Sequence, residues 1–203
     1  MAKQFIVAIG REFGSGGKHI GRALAKELGV NLYDRNIVEK IAAEKEVDAE
    51  HLEKYDQKKR RAFFHRTVKG HTTAPEDHVN DLQFDYIRRL AATDESFVIV
   101  GRCAESVLAD HEGLISIFIK GEREYRIGRV MEQFSLNRHA AVEKMERHDR
   151  TRREYHDHYC DVKWGNVKSY DLIVDAAHFG TKGTADFIKD YVEKRIAAAE
   201  DAK

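Results

Sequence analysis

Phe5-Ile6-Val7-Ala8-Ile9-Gly10-Arg11-Glu12-Phe13-Gly14-Ser15-Gly16-Gly17-Lys18 joins an apolar run to a glycine-rich one, and Ile20-Gly21-Arg22-Ala23-Leu24-Ala25-Lys26-Glu27-Leu28-Gly29 follows. The order reads as a buried strand, a tight turn and an amphipathic helix. Ile20, Leu24 and Leu28 fall at four-residue spacing, and Gly29 supplies the stop. Glycines let the chain turn its N–H groups inward, the helix N-terminus adds partial positive charge, and a lysine reaches the outer phosphates. A phosphate-binding loop is expected, with Gly14, Ser15, Gly16, Gly17, Lys18 and His19 holding a nucleotide. The loop is a variant of Gly-x-x-x-x-Gly-Lys-Ser/Thr. Glu12 stands where the first glycine belongs, and His19 where the Mg²⁺-binding hydroxyl belongs. Taking Gly10 as the first glycine would need two extra loop residues. A dinucleotide fingerprint fits less well, because Gly14-x-Gly16 lacks the third glycine at the required step. The plainest alternative is a glycine turn with no ligand.

Outward from this loop, four more short apolar runs read as strands: Asn31-Leu32-Tyr33, Phe97-Val98-Ile99-Val100, Ile115-Ser116-Ile117-Phe118-Ile119 and Leu172-Ile173-Val174. Their nearly continuous β-branched character suits parallel strands covered on both faces. The segments between them have the length and helical pattern that parallel crossovers require. A last helix is expected from about Thr184, with Phe187, Ile188, Tyr191, Val192 and Ile196 on one face. The fold class is therefore α/β: three layers around a five-stranded parallel sheet. All 203 residues read as one domain, with its core in residues 1–35, 95–120 and 169–203. Two helical insertions, about 36–94 and about 121–168, sit near the strands' C-terminal ends, where such folds bind ligands.

Bulk properties narrow the function class. Hydrophobic residues at 42% and charged residues at 34% describe a folded, soluble chain rather than a disordered one. A formal net charge of zero argues against a sequence-independent grip on nucleic acid. No run approaches the length that spans a bilayer, and the two cysteines, Cys103 and Cys160, are too few and too distant in sequence for a disulfide framework. A cytoplasmic protein with no membrane partner is expected.

The second insertion is dense in arginine. Arg123, Arg126, Arg129 and Arg138 precede Arg147, Arg150, Arg152 and Arg153, and a helix would put Arg147 and Arg150 on one face. Guanidinium groups bind phosphate oxygens in pairs and neutralise charge during phosphoryl transfer. The cluster is expected to close as a lid over the nucleotide. The competing reading for each single arginine is a solvated helix face paired with Glu and Asp at helical spacing.

At these residues the chain resembles the cytidylate kinase-like family, a branch of the nucleoside monophosphate kinases with the P-loop NTPase fold. The resemblance rests on Phe13-Gly14-Ser15-Gly16-Gly17, Ile20-Gly21, Leu24-Ala25, Leu28-Gly29 and Tyr33-Asp34. It continues through Val98-Ile99-Val100-Gly101-Arg102 and the run Arg147 to Arg152 with Tyr155, Tyr159 and Trp164, and it ends at Tyr170-Asp171-Leu172-Ile173-Val174. It implies an ATP- and Mg²⁺-dependent transfer of the γ-phosphoryl group to a nucleoside monophosphate or similar small acceptor. Gly14 to Lys18 would hold the ATP phosphates, with Lys18, Arg147, Arg150 and Arg152 acting on the transferring group. The insertion at about 36–94 would serve the acceptor, and Asp34, Lys40 and Arg102 would bind it. Asp34 reads equally well as the N-cap of a helix beginning near Asn36. The chain departs from authentic cytidylate kinases at Val100 and Cys103, where those enzymes carry acids, and at Thr151, where the lid run carries one; Asp149 lies two positions earlier. The resemblance leaves the acceptor, the protein partners and the oligomeric state open. Two further functions stay in view: a nucleotide-binding regulatory protein without transfer activity, and a kinase of a non-nucleotide metabolite.

Smaller groups were weighed against plainer roles. His156-x-His158 with Cys160 and Asp161 invites a metal reading, but histidines two apart diverge on a helix or strand, so no metal site and surface histidines are expected. Histidines 65, 71 and 78 are expected to face solvent. Cys103 reads as a small buried filler, Trp164 as a packing residue, and Phe63-Phe64 with Phe84, Tyr86 and Ile87 as a small core of the first insertion.

Overall fold

The computed structural model of the chain describes residues 4–34, 36–45 and 75–201. Five strands form one sheet: β1 (Ile6–Arg11), β2 (Asn31–Tyr33), β3 (Phe97–Val100), β4 (Leu114–Lys120) and β5 (Leu172–Asp175). Their spatial order is β2-β3-β1-β4-β5, with every pair parallel. The helices are α1 (Gly17–Leu28), α2 (Asn36–Lys45), α3 (Pro75–Ala91), α4 (Ala104–Val107), α5 (Arg123–Phe134), α6 (Arg138–Tyr159) and α7 (Ala176–Asp201). None of those helices is long and apolar enough to cross a membrane.

The period-2 alternation of strands builds the two faces. Val7 and Ile9 of β1, Val98 and Val100 of β3, and Ile115, Ile117 and Ile119 of β4 pack with Ile20 and Leu24 of α1 and Ile188 and Val192 of α7. Ile6, Ala8, Phe97 and Ile99 point the other way, onto Ile37 and Ile41 of α2, Val79 and Ile87 of α3 and Ala104 of α4. Ile6 through Ile9 are fully buried, at about 1.5–3 kcal/mol for each large side chain, so an unbroken apolar run can serve only as the central strand. Glycine gives α1 room to approach: a Cβ on Gly21 would lie 2.7 Å from Val100 Cγ2.

A third apolar cluster lies away from the sheet. Ile127 and Val130 of α5 and Ala141 and Met145 of α6 pack together, and Phe13 from the loop after β1 joins them. The glycine loop and the α5–α6 hairpin therefore share a core.

Three expectations change. Tyr86 and Ile87 belong to the main core beside Tyr33 and Phe97, not to a separate core of the first insertion. The last helix begins just after Gly180, a few residues before Thr184, and the non-helical backbone of Gly180 (φ 63°, ψ −175°) separates it from a short helical segment that starts at Ala176. Phe187 is 44% exposed and stacks on Phe179, while Ile188 and Val192 take the buried face. The readings of Phe63-Phe64, His65, His71 and the His78 side chain lie outside the described residues.

Candidate phosphate-binding site

The loop leaves β1 at Arg11 and enters α1 at Gly17, at the C-terminal edge of the sheet and between the two neighbours of β1. Gly14 (φ 82°) and Gly16 (φ 87°) both take left-handed backbone, which L side chains resist by roughly 1–2 kcal/mol. At Gly16, the N-cap of α1, no side chain caps the helix, and the amides of His19 and Ile20 are the first to bond back, both to the Gly16 carbonyl. The Ser15 hydroxyl, which could have served as a cap, donates instead to the Glu12 carbonyl at 3.0 Å. The helix start thus offers its amides to an anion, the chemistry that suits a polyphosphate.

The front half of the loop is held firmly. The Phe13 amide donates to Asp149 Oδ1 at 2.7 Å, and the Phe13 carbonyl accepts from Arg126 at 3.2 Å. Arg126, 8% exposed, also forms an ion pair with Asp149 and lies 3.6 Å from Glu12, whose carboxylate accepts from the Gly121 amide. The Phe13 ring stacks on His148 at 4.2 Å between centroids, and the Arg152 guanidinium sits over the ring, 5.4 Å from its centroid. Arg152 also donates to the Arg11 carbonyl at 3.1 Å.

These contacts sort the arginines of α6. His148, Asp149 and Arg152, three and four residues apart, share the face turned to the loop. Arg147 and Arg150 share another face and are exposed. Arg129 of α5 approaches the loop from a further side: it donates to the Thr181 hydroxyl at 3.4 Å, and both groups border the space beside Gly16. The sequence shows Arg126 and Arg129 as members of the arginine-rich run and assigns neither a position at the loop. Arg11 and Thr181 carry no signal that pattern reading could use, and Glu12 stands out only as a departure from the glycine pattern.

Lys18 and Asp34 come together. Lys18 Nζ lies 2.9 Å from Asp34 Oδ2, and the same carboxylate accepts from the Asn36 amide at 3.2 Å at the start of α2. Asp34 is both a helix-start residue and the partner of the loop lysine. Burial pushes its pKa up, but the hydrogen bonds from Lys18 and Asn36 outweigh it, and the carboxyl is held below its ordinary range. His19 is exposed on α1, and burial followed by the charges of Arg129, Arg22 and Lys18 lowers its pKa, so it is neutral at pH 7. Lys40 lies over the Tyr33 ring at 4.6 Å, at the end of β2.

After β3 the chain makes an unusual turn in which Gly101 (φ 81°), Arg102 (φ 65°) and Cys103 (φ 53°) are all left-handed. The Arg11 guanidinium fills the space where a Gly101 side chain would stand, which sets it beside Arg102. Val100 and Cys103 are buried, so the two positions flanking Gly101-Arg102 serve packing. Trp164 packs edge-on against Phe118 at 5.3 Å. In the run before β5, Asp171 accepts from the Ser116 amide and hydroxyl, a structural role at the far edge of the sheet.

The histidine reading needs correction. His158 is exposed, but His156 is 3% exposed and bonds Glu105 Oε1 at 2.8 Å, because α6 turns that position toward α4. Among the described residues no group of three metal-binding side chains converges.

Comparison with known proteins bears on the fold and the family. The structure is similar to that of an uncharacterized protein from Eubacterium ventriosum, at 31% identity and a TM-score of 0.74, covering 94% of this chain and 99% of that one. It shares its fold with the shikimate kinase of Bacteroides thetaiotaomicron (TM-score 0.56, 10% identity, 93% and 98% covered). The Aquifex aeolicus shikimate kinase is comparable (TM-score 0.52, 13% identity, 94% and 98% covered). No curated protein matches the chain. A family profile matches residues 6–178, from the first strand to the start of the last helix, and the chain belongs to the cytidylate kinase-like family.

Proposed function

We infer that the protein transfers the γ-phosphoryl group of ATP to a nucleoside monophosphate or a similar small acceptor. The observation that carries this reading is the uncapped start of α1, bordered by Lys18, Gly14 and Gly16 and roofed by α5 and α6. In that reading the amides from Gly14 to Lys18 receive the ATP phosphates, His19 lines the approach as a neutral group, and Lys18 moves from Asp34 onto the transferring phosphoryl. Arg152 is already at the loop. Arg147 and Arg150 reach the phosphates only through a rotation or shift of α6. Arg102, with Lys40 and Asp34, would face the acceptor from the ends of β3 and β2. Mg²⁺, which neutralises charge on the polyphosphate, would be carried on phosphate oxygens and water, because His19 replaces the usual hydroxyl ligand. Zero net charge suits a cytoplasmic enzyme of small nucleotides with no nucleic-acid or membrane partner.

One observation favours a second reading, nucleotide binding without transfer: the places flanking Gly101-Arg102 are buried and apolar rather than acidic. A coupled ADP-release assay over CMP, dCMP, UMP, AMP, GMP and shikimate separates the readings. Mg²⁺-dependent turnover with a monophosphate supports the first. Turnover with shikimate alone makes the protein a metabolite kinase. ATP binding with no turnover on any acceptor removes the kinase claim.

A further inference from the structure

The end of α6 gathers a set of reactive side chains that the transfer chemistry does not use. Cys103 caps the start of α4 and Cys160 caps the end of α6. They are the chain's two cysteines, 57 positions apart in sequence, and the bond between His156, one turn before Cys160, and Glu105, two residues after Cys103, brings their segments together. Around the Cys160 thiol lie Cys103, the His156 ring and Ser106, all near enough to act on its charge. His156 Nε2 bonds Glu105 Oε1, which accepts a further bond from the Tyr170 hydroxyl at 3.2 Å, and His156 Nδ1 lies 3.7 Å from Asp157. Cys103 is buried and Cys160 is half-buried, so a reagent meets Cys160 first.

We propose that Cys103 and Cys160 are a redox pair whose disulfide ties the end of α6 to the turn that carries Arg102. The 2.8 Å bond between His156 and Glu105 sets the end of α6 against the start of α4, the approach of the two cysteines that a disulfide requires, and the absence of a third cysteine leaves no competing partner. The surroundings favour the reaction. Cys103 and His156 lower the Cys160 pKa against the opposing effect of burial, and an imidazolium in the last turn of α6 also suits the negative end of the helix dipole. A low-molecular-weight disulfide such as glutathione disulfide is the oxidant. The Cys160 thiolate attacks one of its sulfurs and expels one glutathione thiolate. Cys103 then attacks Cys160 Sγ and expels the second. Two protein thiols are oxidised, one disulfide is reduced to two thiols, and the two thiol protons leave with the glutathione.

The consequence for turnover rests on the kinase reading, since α6 must shift for Arg147 and Arg150 to reach phosphate; formation of the disulfide does not. The test equilibrates the full chain with glutathione disulfide, quenches with acid, alkylates, and reads intact mass and linked peptides. The expected result is a loss of two hydrogens, no alkylation, and a Cys103–Cys160 peptide that dithiothreitol releases. Both thiols alkylated, or a glutathione adduct that never closes, overturns the pair. ADP release should fall by at least about tenfold on oxidation and return on reduction, with Cys160→Ser active and indifferent to oxidant. A disulfide that leaves turnover unchanged overturns the restraint on α6. A disulfide in a protein that never turns over overturns the kinase reading and leaves the pair standing. The alkylation midpoint of Cys160 in the wild type should lie below the ordinary thiol value of about 8.5 and rise toward it in His156→Gln; an equal midpoint in the two proteins contradicts the role given to His156.

Discussion

The two halves of the loop after β1 are treated in opposite ways. Glu12 and Phe13 are bonded at amide, carbonyl and side chain to α5 and α6. Gly14 to Lys18 carry left-handed glycines and a helix start that no side chain caps. Side chains fix the part of the loop that positions it. They leave bare the part whose amides would otherwise cost free energy unless an anion meets them. Four changes test that division, taken from the strongest.

Asp149→Ala should lower stability by about 3–5 kcal/mol, or roughly 6–20 °C in melting temperature, because it strands the nearly buried Arg126 and frees the Phe13 amide. A melting curve like that of the wild type would break the claim that the front half is clamped. Phe13→Ala should cost about 2 kcal/mol, less than a fully buried phenylalanine, since the ring is half-covered by His148 and α5. Urea unfolding measures it, and an unchanged midpoint would mean that the shared core is unimportant.

Gly16→Ala sharpens the contrast. It should cost only about 1–2 kcal/mol in stability from the left-handed backbone, yet weaken ATP by at least about tenfold, because the new methyl sits at the helix start. Equal losses in both, or none in ATP affinity, would merge the two halves into one structural turn. The smallest effect belongs to Asp34→Asn, at under about 1 kcal/mol because Lys18 is half-exposed. The folded Asp34 pKa lies below its unfolded value, so its contribution is present above the unfolded value and lost as pH falls through the folded one. The stability gap between wild type and Asp34→Asn should therefore shrink on titration from about pH 7 to about pH 3. A gap that widens toward acid would reverse the sign.

The contrast also marks what sequence could show. The β1 run, the glycines and the Gly29 stop are local signals, and they mark the buried first strand, the loop and α1. Gly29 does take left-handed backbone at φ 68°. The clamp is not local. Asp149 lies 136 residues from Phe13, and nothing in its neighbourhood distinguishes the helix face it shares with Arg152 from the face of Arg147 and Arg150. Cys103 and Cys160 look unrelated until α6 crosses over the β3–α4 turn. The helical segment from Ala176 to Phe179 is too short to show a helical period, and the non-helical backbone of Gly180 separates it from the rest of α7.

Isothermal titration of ATP into the wild type and Lys18→Ala proteins tests the central claim, that the bare half of the loop holds polyphosphate. Saturable heat is expected from the wild type, with affinity lower by about 10- to 150-fold in Lys18→Ala, the loss of a charge-assisted hydrogen bond. No heat from ATP or ADP in the wild type, or equal affinity in the two proteins, would contradict it.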